Sequence, residues 1–112
     1  MAKAYITIRS NIILSDQLNG SQFGTVGANF QNANVQQHTI GPDETLTLTP
    51  PAAWKSAFIS SGDGVFTIKN GAGSDLFIGS MFLIFSTETQ SANEIEVSSV
   101  AGCNLSVTWD LA

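Results

Sequence analysis

The sequence predicts a single all-β domain: a jelly-roll-like β-sandwich of eight to ten short antiparallel strands. Three observations carry that expectation. Apolar and polar residues alternate with period two along most of the chain. No window sets apolar residues at i, i+3, i+4 and i+7 between caps, so helices are not expected beyond one possible turn. Gly, Asn, Asp and Pro punctuate the alternation at short spacing, as in a sandwich or, failing that, a small barrel. With 112 residues and 43% hydrophobic content, residues 1–112 suit one domain around one core.

Taken in order, Ala4, Ile6 and Ile8 alternate with Tyr5, Thr7 and Arg9, and Ile12 to Leu14 continues or pairs with that strand. From Gln17 to Pro42 there is no Asp, Glu, Lys or Arg. That stretch reads either as ordinary strands (Phe23 to Phe30, Val35 to Ile40) or as a docking arm, since amides are cheaper to desolvate than ions. Glu44 to Thr49 alternates cleanly, with Leu46 and Leu48 facing in. Thr49-Pro50-Pro51-Ala52-Ala53-Trp54 has the capping Thr and early prolines of a single helical turn. Val65 to Lys69 alternates again, and the turn Asn70 to Asp75 returns the chain into Leu76 to Phe85. Ile95 and Val97, then Leu105, Val107, Trp109 and Leu111, mark the last two strands.

Charge is scarce. Charged residues make up 12% of the chain, against about 25% in an average soluble domain. Ser, Thr, Asn and Gln supply 37 residues instead, a dress suited to strand surfaces and close protein contact. The four basic residues, Lys3, Arg9, Lys55 and Lys69, are scattered and the net charge is −5, which argues against nucleic acid or an anionic membrane as partner. The N-terminus lacks the apolar core of a signal peptide, and no apolar run reaches the ~20 residues of a spanning helix. The single cysteine, Cys103, cannot form an internal disulfide, consistent with assembly in a reducing cytoplasm. The sequons at Asn19 and Asn104 carry little meaning in that setting.

Residues of known chemistry do not group into a motif, and no catalytic, cofactor-binding or metal residue is assigned. His38 is the sole histidine and lies in a strand-like context without a carboxylate nearby in sequence, so it reads as a surface residue. One His and one Cys cannot furnish a zinc site. Asp43-Glu44 reads as a turn, and Glu94 with Glu96 as the polar face of an edge strand. Asn70 to Phe77 resembles one copy of a calcium-binding nonapeptide, with Asn70 in place of the first glycine; such a site needs stacked copies, and the segment is better read as a hairpin turn. Trp109 alternates in phase with the core, whereas Trp54, after two prolines, is the candidate exposed aromatic on which a sugar could stack.

Leu76 to Phe85 breaks the pattern. Leu76, Ile78, Phe82 and Ile84 fall on one face and Phe77, Met81, Leu83 and Phe85 on the other, so both faces are apolar. A sandwich strand with two dry faces must be covered, either within the chain or by a partner. A loop or the Pro50-Pro51-Ala52-Ala53-Trp54 segment folded over it, or a bulge at Gly79-Ser80 that switches faces, is the internal solution. For the partner solution, Phe77, Met81, Phe82, Leu83 and Phe85 are the candidate interface.

This low-charge, disulfide-free β-sandwich pattern, in segments such as Glu44-Thr45-Leu46-Thr47-Leu48-Thr49 and Phe66-Thr67-Ile68-Lys69-Asn70-Gly71, resembles the small structural proteins of tailed bacteriophages, capsid decoration (cement) proteins in particular. The resemblance implies a non-enzymatic virion protein, assembled in the host cytoplasm, that binds the major capsid protein or another virion protein. It also implies a homo-oligomer, trimer or dimer. The other readings are a phage tail, baseplate or fibre recognition module, a carbohydrate-binding sandwich, and a small hydrolase acting through His38.

Overall fold

In a computed structural model the chain is all-β. The structure describes residues 3–13, 21–69, 74–90 and 94–112, with backbone alone at 7–13 and 21–26. The first sequon, at Asn19, and most of the turn expected over 70–75 lie outside the described residues. Among the described residues there are ten strands: β1 Ala4–Ile13, β2 Ser21–Phe30, β3 Ala33–Ile40, β4 Glu44–Leu48, β5 Trp54–Ser60, β6 Phe66–Lys69, β7 Asp75–Gly79, β8 Met81–Ile84, β9 Ile95–Ser99 and β10 Cys103–Leu111.

Eight of them form two four-stranded antiparallel sheets, in the orders β3-β10-β5-β8 and β4-β9-β6-β7. The pairing is nested in sequence. β3 pairs with β10, β4 with β9, β5 with β8 and β6 with β7, as in a long double ribbon rolled up from its closed end. The alternation explains the layering, since successive side chains point to opposite sides and every second one can be turned to a shared core. Leu48, Phe66, Ile68 and Val97 from one sheet meet Ala57, Ile59, Leu105, Val107 and Trp109 from the other in a single buried cluster.

β1 and β2 form a separate two-stranded sheet, paired from Ala4↔Phe30 to Ile13↔Ser21. Ala28 and Phe30 are buried at its root, outside the central cluster. The radius of gyration, 15.5 Å, exceeds the ~13 Å of a compact chain this long, in keeping with a hairpin set apart from the sandwich. Over residues 21–40 the uncharged stretch is therefore strands β2 and β3, joined at Gln31 and Asn32, while its residues 17–20 lie outside the described residues.

Three sequence expectations change. Residues 49–53 form no helical turn; they bend at Pro51 and Ala52, and Trp54 opens β5. β9 lies inside its sheet between β4 and β6, so Glu94 and Glu96 do not mark an edge strand. Glu96 instead stands opposite Thr47 and Lys69. Finally, Leu76 to Phe85 is two strands. The chain leaves one sheet as β7, turns at Ser80 and enters the other as β8.

Candidate interaction surface

That turn resets the alternation. Phe77 on β7 and Phe82 and Ile84 on β8 pack against the core, while Leu76, Ile78, Met81 and Phe85 are exposed. An uninterrupted strand would have put Phe77 on the same side as Met81. With a switch at Gly79-Ser80, both apolar phases can be used, one on each side of the corner. Of the five candidate interface residues, Phe77 and Phe82 are thus largely committed to the core, and Met81, Leu83 and Phe85 are left to the outside. Leu76 and Ile78 are exposed as well, but on β7 and hence on the other sheet.

Register shows how this edge connects to the rest of the sheet. Leu83 lies opposite Phe58, Phe58 opposite Thr108, and Thr108 opposite Val35. Their neighbours in the strands, Ala57, Ile59, Val107 and Ile84, belong to the core, so this row occupies the outer surface. Val35 is exposed, and Phe58 and Leu83 are half-buried. The next row, Gln37, Ser106, Ser60 and Met81, is also uncharged. A mostly apolar stripe therefore crosses the sheet and ends at β8, where Met81 and Phe85 flank it.

On the other sheet, Val65, Thr67, Asp75, Ile78, Val100 and Ala101 line an open groove of about 500 Å³. Its charged member, Asp75, pairs with Lys69 at 3.1 Å.

Trp54 corrects the sequence reading most sharply. It is 2% exposed and meets Trp109 edge-on, ring centroids 5.0 Å apart, so it offers no stacking platform. The two prolines suggested a loop, but Trp54 pairs with Leu111 at a bulge and turns inward. His38 is half-buried rather than a surface residue, in phase with Ile40 and opposite Leu105. Its Nε2 lies 3.2 Å from Gln36 Oε1, which also accepts the indole N–H of Trp109 at 3.0 Å. Gln36 Nε2 in turn donates to the Thr49 carbonyl at 3.2 Å. Gln36 thus ties the rim of one sheet to the start of the segment leading into β5.

Asp43-Glu44 is turn chemistry, as expected. Asp43 has φ 57°, and Glu44 Oε2 accepts the Gly41 N–H at 3.2 Å. Asp63 accepts the Asn104 N–H at 3.0 Å, the Asn104 side-chain amide at 2.8 Å and the Ser61 hydroxyl at 3.0 Å. Those donors, the backbone N–H first, hold its carboxyl below the ordinary value. Cys103 is a buried free thiol. Among the described residues, no three of His, Cys, Asp and Glu gather at one place.

No protein-family model, curated protein or solved structure matches this chain.

Proposed function

We propose that the chain is a non-enzymatic structural protein of a tailed-phage particle, a capsid decoration protein that binds the major capsid protein lattice and stabilises it. The observation that carries this reading is the uncharged outer surface running from Val35 through Phe58 and Leu83 to the exposed Met81 and Phe85. A contiguous exposed apolar patch usually marks a contact site. Two further features support it. The nested strand order fits the jelly-roll arrangement found in many viral coat domains. The β1–β2 hairpin is a sheet of its own, and lone two-stranded ribbons are marginal in water, so a partner strand or surface suits it.

Purified particles of the phage that encodes the chain supply the test. Quantitative mass spectrometry should find it in many copies per head, and heads made without it should release DNA at lower temperature. Its absence from particles, or equal stability of heads lacking it, would overturn the proposal.

A further inference from the structure

We infer that a second copy of the chain pairs along β8, antiparallel and about a twofold axis, joining two β3-β10-β5-β8 sheets into one continuous eight-stranded sheet. This deepens the reading above by naming one partner and its place, and it rests on that reading only for its setting.

Four strands end the two sheets, and their side chains differ. β4 begins with Glu44, β7 with the ion-paired Asp75, and β3 carries Asn34, Gln36, Gln37 and His38. Proteins guard free edges with charge, proline, bulges or brevity, because the unpaired N–H and C=O groups otherwise recruit another strand. β8, Met81-Phe82-Leu83-Ile84, has no polar or charged residue, no proline and a regular register against β5. Its shortness is the single guard it keeps. Among the described residues no strand pairs with its free side.

The chemistry of that side selects the occupant. It must be a strand, because the unmet groups are a backbone edge, and its side chains must be apolar and uncharged to match Met81, Leu83 and Phe85. β8 satisfies both conditions toward itself. A twofold axis makes two copies of one strand antiparallel, so the contact is self-complementary and closed. It also carries the Val35-Thr108-Phe58-Leu83 row across the axis to its equivalent. Charge favours the same place. Two chains of net charge −5 repel, and they approach most readily where no carboxylate faces another; both outer rows that end at β8 are uncharged.

Sedimentation of the full chain over a wide concentration range tests the pairing, together with Leu83→Lys and the more exposed Met81→Lys, each of which puts a like charge at the axis. The unmodified chain should reach about twice its 11.8 kDa mass, and either folded variant should sediment as a monomer. Amides of residues 81–84 should exchange more slowly as the unmodified chain is concentrated. A monomer at every concentration overturns the inference, as does a dimer that both lysine variants leave intact. If the chain alone is monomeric and residues 81–84 become protected only on phage heads, the occupant is a capsid strand; the self-pairing then fails while the decoration reading stands.

Discussion

Phe77 and Phe82 belong to different sheets, yet their rings lie 5.0 Å apart at an angle of 48°. Phe77 also meets Phe66 at 6.0 Å, so an aromatic chain runs from the core to the corner where β7 becomes β8. This contact joins the two sides of the turn at Ser80, and with Ile84 the two rings are the part of the apolar run that packs against the core. Phe82→Ala should therefore destabilise the fold by about 2–3 kcal/mol, below the ~3–5 kcal/mol of a fully buried phenylalanine because the ring is partly exposed. Urea unfolding measures it; a loss no greater than that of an exposed-site control such as Phe85→Ala would refute the role.

Gln36 makes a second prediction. Its Oε1 is the acceptor for the buried Trp109 indole, and replacing it by leucine leaves that N–H unpaired. Gln36→Leu should cost about 1–3 kcal/mol. Gln36→Glu, which keeps an acceptor in place, should cost less than the leucine variant in the same denaturation series. Equal losses would show that shape, not the hydrogen bond, is what the site needs.

The contrast between these two sites shows what alternation can and cannot reveal. Leu46, Leu48, Ile68, Ile95, Val97, Leu105, Val107 and Trp109 are legible as core because polar neighbours flank each in strict phase, and the structure packs them there. Leu76 to Phe85 lacks polar markers, so nothing local reveals at which residue the phase changes; Ser80, where the chain changes sheets, decides it. Trp54 fails for the opposite reason. Its neighbours look like a loop, and its burial comes from pairing with Leu111, remote in sequence. Gln36 is polar in an amide-rich strand, and what marks it as inward is remote in sequence: it stands opposite the core residue Val107 and accepts the Trp109 indole N–H. The candidate surface is accordingly half legible: of the candidate interface residues Phe77, Met81, Phe82, Leu83 and Phe85, the structure leaves Met81, Leu83 and Phe85 outside and packs Phe77 and Phe82 against the core, a division that needs the corner at Ser80.

Gly102 gives a third prediction. It holds φ 82°, and a Cβ there would lie 2.9 Å from the Ile40 carbonyl oxygen and 3.2 Å from the Pro42 nitrogen. Backbone atoms cannot swing aside. Gly102→Ala should thus lose at least ~1–3 kcal/mol from backbone strain, with the clash added. Gly62→Ala, where a Cβ meets nothing within 4 Å, should be neutral or gain up to about 1 kcal/mol by restricting the unfolded chain. Thermal melting of the pair would expose an error if the two variants behaved alike.

Asp63 adds a pH dependence whose sign follows from its partners. The Asn104 backbone N–H, then the Ser61 hydroxyl and the Asn104 side chain, stabilise the carboxylate, while partial desolvation opposes them, and the net effect is a folded pKa below the ordinary 3.8. A carboxyl that binds its proton less readily when folded supports the fold only while ionised. Its contribution is complete above the unfolded value and disappears as pH falls through the lower folded one. Asp63→Asn retains an oxygen for the Asn104 N–H but has no charge to titrate. Melting temperatures from about pH 5 down to about pH 2 should therefore fall less steeply for the variant than for the unmodified chain, and the two curves should converge at the acid end. Curves that stay parallel throughout that window would mean that the clamp joining residues 61–63 to Asn104 is indifferent to the charge on Asp63.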